Sequence, residues 1–250
     1  MTSDPETLAL ITATYLLAGI VKGVTGLGIP IIGVAFVAPI LGLQAAIAIL
    51  LAPSVVTNFW QAVVGRNFLK ILSRLWPMLA TAVGGIWLGS GILAAADGRL
   101  LIFVLGTVLI SYSVIALLRA KLPSPGDREP WLTPIIGGVA GVIFGMTGSF
   151  MVPGTLYVQS LGMPRDMFVQ ALGITFVGIS VTLALMMTQR TMLTLELAVL
   201  SVAAVIPTML GMVAGQRLRR VLTEEQFTRI VLVVIMITGV YMVARSYLAI

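Results

Sequence analysis

The stretch Gly19-Ile20-Val21-Lys22-Gly23-Val24-Thr25-Gly26-Leu27-Gly28-Ile29-Pro30 decides how this chain is read, because it returns. Gly141-Val142-Ile143-Phe144-Gly145-Met146-Thr147-Gly148 in the second half repeats its glycines and its threonine, and Pro153 follows as Pro30 does. Working outward, Leu41-Gly42-Leu43 is echoed by Leu161-Gly162-Met163, and Gly85-x-x-x-Gly89 by Gly211-x-x-x-Gly215. Each Gly-x-Thr-Gly copy interrupts an apolar stretch. Paired, glycine-interrupted apolar segments at matching places in two halves point to the binding site of a secondary transporter. The small-x-x-x-small pairs suit close helix crossings in lipid.

The composition places the repeat in a bilayer. Of 250 residues, 59% are hydrophobic and 10% are charged, and the mean hydropathy is +1.10. Soluble domains carry about 25% charged residues, so this chain lacks the polar surface to cover a globule in water. Apolar segments run over 8–21, 29–42, 45–65, 75–96, 100–118, 132–144, 150–161, 167–189, 194–216 and 227–249. A span needs about 20 apolar residues, which 45–65, 75–96, 100–118, 167–189, 194–216 and 227–249 supply. The shorter pairs 8–21/29–42 and 132–144/150–161 hold the glycine motifs. Each pair either crosses fully as broken helices or dips and returns, since irregular backbone at membrane depth is tolerated where it faces protein or a water-filled cavity.

The expected fold is therefore an all-α integral membrane protein. Each half has about three full spans plus a short Gly-broken helix pair, for 8–10 transmembrane segments. Residues 1–119 form the first half, 120–131 a cytoplasmic linker with Pro123, Pro125 and Pro130, and 132–250 the second half. Basic residues orient the chain. With the N-terminus outside, Arg66, Lys70, Arg74, Arg119, Lys121, Arg128, Arg165, Arg217, Arg219, Arg220 and Arg229 fall inside. Arg99, Arg190 and Arg245 fall outside, and Lys22 lies within the membrane. Both termini are then periplasmic. Each half crosses an odd number of times, so the halves have inverted topology, as in many transporters. Asp4 and Glu6, without a basic neighbour, do not make a signal-peptide n-region, so the first segment is expected to stay in the mature protein.

Several function classes fall away. The net charge is +6, but the basic residues sit in loops between apolar runs, which argues for orientation rather than nucleic-acid binding. The chain has no cysteine and no histidine, which removes disulfides, thiolate metal sites and the usual general base. The nine acidic residues lie in loops or near segment ends, so neither a protein-borne proton relay nor paired catalytic carboxylates are expected within the membrane. A phosphate loop is missing. The expectation is a protein that is no enzyme and needs no cofactor or metal, with the lipid bilayer and a small anion as its partners. A homodimer is compatible with the sequence.

The candidate substrate-binding residues are Lys22, Gly23, Thr25, Gly26, Asn58, Gly145, Thr147, Gly148, Ser149, Gln170 and Thr175. Lys22 is either an intramembrane charge that attracts an anion or a side chain that snorkels to the headgroups; its second-half counterpart is Phe144. Around Thr25 and Thr147, a glycine break followed by a helix would expose backbone N–H groups to an anion, or the glycines merely allow a tight crossing. Ser149 extends the second copy. Pro53 should kink the segment that carries Ser54, Asn58 and Gln61. Asn58 there, with Gln170, Thr175 and Ser180 on the matching segment, either lines a cavity or bonds helix to helix.

On the two glycine motifs with Pro30 and Pro153, the Leu-Gly echoes and the basic loop after the third segment, the chain resembles the TauE/SafE family of sulfite exporters over nearly its whole length. That resemblance implies movement of small sulfur anions, sulfite or organosulfonates, across the bacterial inner membrane. The expected function is anion transport by alternating access. An anion channel on the same scaffold, and a membrane scaffold protein that transports nothing, are the rivals.

Overall fold

The computed structural model describes residues 4–26, 28–118, 123–218 and 224–248. Leu27 of the first motif and the basic residues Arg119, Lys121, Arg219 and Arg220 lie outside the described residues. All described elements are helical. They are α1 (Pro5–Thr25), α2 (Ile29–Leu41), α3 (Leu43–Val64), α4 (Phe68–Ala95), α5 (Gly98–Leu117), a 3₁₀ turn (Gly126–Arg128), α6 (Glu129–Thr147), a π-turn (Met151–Thr155), α7 (Leu156–Ser160), α8 (Arg165–Gln189), α9 (Leu195–Leu218) and α10 (Glu224–Leu248). Eight helices among the described residues are long and apolar enough to span a membrane: α1, α3, α4, α5, α6 with its preceding turn, α8, α9 and α10. The protein is a multi-pass, all-α membrane protein.

Each glycine motif breaks its apolar stretch at the last glycine, where one helix ends. α1 runs without a break through Gly19, Lys22 and Gly23 and stops at Gly26, whose left-handed backbone (φ 82°) sends its N–H to the Lys22 carbonyl at 2.8 Å. α6 stops in the same way at Gly148 (φ 70°), whose N–H bonds the Phe144 carbonyl at 2.8 Å. Glycine takes that conformation without a Cβ clash, and so closes a helix with its last carbonyls paired. The first member of each pair is thus full length, 21 residues in α1. Only the second is short: 13 residues in α2, and five in α7 behind the π-turn, where Val152 is extended.

The helices gather into two compact units that alternate along the chain: Met1–Pro53, Asp97–Arg119 and Leu193–Ile250 in one, Ser54–Ala96 and Ala120–Met192 in the other. The chain leaves the first unit inside α3, at Pro53.

In the first unit α1 packs on α9. Gly19 and Gly23 face the backbone of Thr208, Met212 and Gly215, while Gly211 and Gly215 face the backbone of Leu16 and Ile20. A Cβ at any of the four would overlap the facing main chain. Small residues are what let two backbones meet in lipid, where van der Waals contact replaces the hydrophobic drive of water. Pro53 removes the N–H that would pair the Ile49 carbonyl four residues earlier. Ser201 of α9 replaces it, donating to the Ile49 carbonyl at 2.9 Å while its oxygen accepts the Ala52 N–H at 2.9 Å.

The second unit repeats the crossing with different helices. Gly85 and Gly89 of α4 meet the backbone of Gly138 and Val142 on α6, and Gly137, Gly141 and Gly145 of α6 meet the backbone of Met78, Ala82 and Ile86 on α4. α8 joins through Gly173 against Gln61 and Ala62 and through Ser180, whose hydroxyl lies 3.0 Å from that of Ser54. In both units the helix ending in Gly-x-Thr-Gly crosses a Gly-x-x-x-Gly helix drawn from the other half of the sequence.

Candidate functional site

The candidate residues fall into one group within each unit. In the first, Lys22 stands in the last turn of α1 and is 4% exposed. A lysine that snorkels keeps its ammonium in solvent, whereas this residue is buried within the protein. Thr25, one turn on, donates its hydroxyl proton to the Val21 carbonyl at 2.9 Å. Gly23 is a crossing residue against α9 and Gly26 the helix cap. A cavity of about 150 Å³ opens beside this break, lined by Val21, Thr25, Gly28, Ile31, Tyr112 and Leu232.

In the second unit Gly145 is likewise a crossing residue and Gly148 the cap. Thr147 is fully buried; its hydroxyl donates to the Ile143 carbonyl at 2.7 Å and accepts the Ser149 N–H at 3.2 Å. Both motif threonines therefore give their only proton to their own helix. The N–H groups of Gly26 and Gly148 are also used, in the helix caps.

Ser149 and Thr175 behave differently. Both are fully buried, and neither hydroxyl has a hydrogen-bond partner among the described residues. Ser149 lies just past the α6 cap and Thr175 within α8, and their neighbours in sequence meet. Ser149 directly precedes Phe150 and Thr175 directly precedes Phe176, and those rings meet edge to face with centroids 6.0 Å apart. Phe144, one turn before the α6 cap, also meets Phe150 edge to face, with centroids 6.1 Å apart. A buried hydroxyl without a partner is costly and most are satisfied, so these two stand out within the unit.

Asn58 and Gln170 are turned to the protein. The Asn58 amide donates to the Ser54 carbonyl at 2.7 Å and approaches the Ser54 hydroxyl at 3.2 Å. Gln170 reaches from α8 to the end of α3: its amide donates to the Ala62 carbonyl at 2.8 Å, and its oxygen accepts the Asn67 N–H at 3.1 Å. Gln170 leaves no room for a side chain at Gly65.

Sequence reading passed over Tyr15. Its ring is fully buried against Gly33 of α2, and its hydroxyl has no partner among the described residues. The available signal was spacing: Tyr15 precedes Lys22 by two helical turns, which puts both on one face of α1. It also passed over the Arg74–Glu129 ion pair, which joins α4 to α6.

The profile of the sulfite exporter TauE/SafE family matches residues 11–242. The chain belongs to the TauE/SafE family. The match takes in both glycine motifs, so the family read from Gly19–Gly28 and Gly141–Gly148 is the family shown. Searches of curated proteins and of solved structures each returned no match. TauE/SafE proteins are membrane transporters, and the eight span-length helices of this member suit that role.

Proposed function

We propose that this TauE/SafE protein moves small sulfur oxyanions, sulfite or organosulfonates, across the bacterial inner membrane by alternating access. The observation that carries the reading is the pair of buried, unpartnered hydroxyls of Ser149 and Thr175. An oxyanion accepts hydrogen bonds at every oxygen, and a buried O–H without a protein acceptor is free to donate to one. Within the first unit, the buried Lys22 offers an anion a positive charge of its own. The motif threonines support the site indirectly, because Thr147 holds the Ser149 backbone in place. Gly23, Gly26, Gly145 and Gly148 place the two helix ends.

The inverted repeat belongs to the same proposal. It is supported by the matched anatomy of the two units, each with a left-handed glycine cap at the end of a helix that crosses a Gly-x-x-x-Gly partner. Units that keep their internal packing are what alternating access requires. The distribution of the basic residues supports a periplasmic location for both termini.

Purified protein in liposomes tests this. Sulfite and sulfoacetate uptake should saturate with substrate. Lys22→Ala and the double variant Ser149→Ala/Thr175→Val should each lower the initial rate by about tenfold or more, the loss expected when a buried charged or hydrogen-bonding contact goes. Rates within twofold of wild type for both variants would remove the proposed site. Flux that never saturates would point to a channel.

A further inference from the structure

The two short helices are held at their C-terminal ends by arginines. In the first unit Arg245 of α10 donates to the Pro39 carbonyl in the last turn of α2 at 3.0 Å. In the second, Arg74 of α4 donates to the Leu161 carbonyl, just past α7, at 3.5 Å. The last carbonyls of any helix lack an internal partner and carry partial negative charge, so a guanidinium is a fitting cap.

The two holds differ in what stands behind them. Arg74 is itself gripped by Glu129 at the start of α6, through paired Nε–Oε1 and Nη2–Oε2 contacts, the second 2.7 Å. The Tyr157 hydroxyl of α7 lies 2.6 Å from the Thr133 hydroxyl, which lies 2.6 Å from the Glu129 carbonyl. One proton arrangement satisfies all three: Tyr157 donates to Thr133 and Thr133 donates to Glu129. α4, α6 and α7 are thus tied at one point. Beyond it α7 is weakly closed, with terminal N–H bonds from Leu161 and Gly162 of 3.4 Å each. On its other side stand the π-turn and extended Val152. The Arg74 and Glu129 side chains are 34% and 25% exposed, so water can solvate both as they part, unlike a pair sealed in a core.

We propose that Arg74 and Glu129 form a releasable clasp that positions α7 against α4 and α6, and that opening it frees α7 to move. The part this movement plays in transport rests on the function proposed above; the clasp itself does not, and can be tested without substrate.

The chain has no cysteine, so a single introduced thiol reports on its own surroundings. Val158 of α7 is fully buried. In membranes holding the full-length protein, the rate at which N-ethylmaleimide modifies Val158→Cys reads the open population of α7. Glu129→Gln and Arg74→Gln should each raise that rate by about fivefold or more, because labelling through an opening follows the open fraction. A control thiol at buried Ser113 of α5 should stay within twofold. The double variant should be no faster than the quicker single, since two groups of one clasp are not additive. An unchanged rate at position 158, an equal rise at position 113, or multiplying effects in the double variant would each overturn the proposal. If Val158→Cys does not accumulate, Leu156→Cys, at another buried position of the same helix, takes its place with the same outcomes.

Discussion

Gly89 of α4 and Val142 of α6 meet main chain to main chain: the Val142 carbonyl occupies the place where a Cβ at position 89 would stand. Neither helix can turn to relieve such a clash, because Gly85 and Gly145 are pinned in the same way one turn to either side. Gly89→Val should lower the stability of the detergent-solubilised protein by about 1–3 kcal/mol, the usual effect of overpacking, and show as a lower unfolding temperature. Gly84 lies on the same helix, and a Cβ there would meet nothing within 4 Å. Gly84→Ala should raise stability by about 0.4–1 kcal/mol through the unfolded chain alone. Equal effects from the two variants would show that the crossing does not depend on the small residue.

Ser201 and Pro53 form a compensating pair. Ser201→Ala leaves the Ile49 carbonyl, already without its helical donor, unsatisfied in an apolar surrounding. A loss of about 1–3 kcal/mol is expected. Replacing Pro53 by Ala restores the helical N–H, so Ser201→Ala should cost measurably less in the Pro53→Ala background. Denaturation of the four proteins of this cycle measures the coupling. Strict additivity would show that Ser201 is not answering the proline.

Ser149 and Thr175 separate a binding role from a packing role. If their hydroxyls only fill space, removing an unpartnered buried group is neutral or stabilising, and anion binding is unaffected. The expected outcome is different in its second part. Ser149→Ala and Thr175→Val should unfold at or above the wild-type temperature without ligand. They should also lose most of the upward shift that sulfite or sulfoacetate gives the wild type, since a ligand stabilises the state it binds. A full ligand-induced shift in both variants would assign the hydroxyls to packing.

Gln170 should show the reverse pattern. Its amide closes two backbone groups at the end of α3, 2.8 and 3.1 Å away. Gln170→Leu removes both bonds and should lower stability by about 1–3 kcal/mol, with the KM for substrate held within twofold among the molecules that fold. A large rise in KM at unchanged stability would assign Gln170 to the substrate site.

Legibility in the sequence followed the range of the interaction. Six of the eight spans were readable at full length because apolar length is a local property, and the family because its glycine motifs are contiguous. Gly85, Gly89, Gly211 and Gly215 were readable as crossing residues, since a small-x-x-x-small stripe has that meaning wherever it occurs. The ends of α1 and α6 were not. The apolar runs stop near residues 21 and 144, yet in lipid the backbone has no water to turn to, and each helix continues to the glycine that adopts φ > 0, Gly26 or Gly148. The hydroxyl roles were mixed for a similar reason. Thr25 and Thr147 bond back four residues within their own helix, whereas Ser149 and Thr175 find nothing, and position along the chain does not reveal which will be which.

By itself, then, the sequence determined a bilayer protein of long apolar helices, duplicated about a Gly-x-Thr-Gly motif, with one lysine inside an apolar stretch. It also determined which helices carry flat faces fit for a close crossing. Only the tertiary structure decided who crosses whom: α1 takes α9 and α6 takes α4, each pairing a helix of one half with a helix of the other. The physical reason is that a stripe of small residues allows close approach to any matching stripe, while the choice among partners depends on contacts far apart in the chain. The same holds for Ser201 answering Pro53 and Arg74 reaching Leu161, where a backbone carbonyl needs a donor that no neighbouring residue can supply.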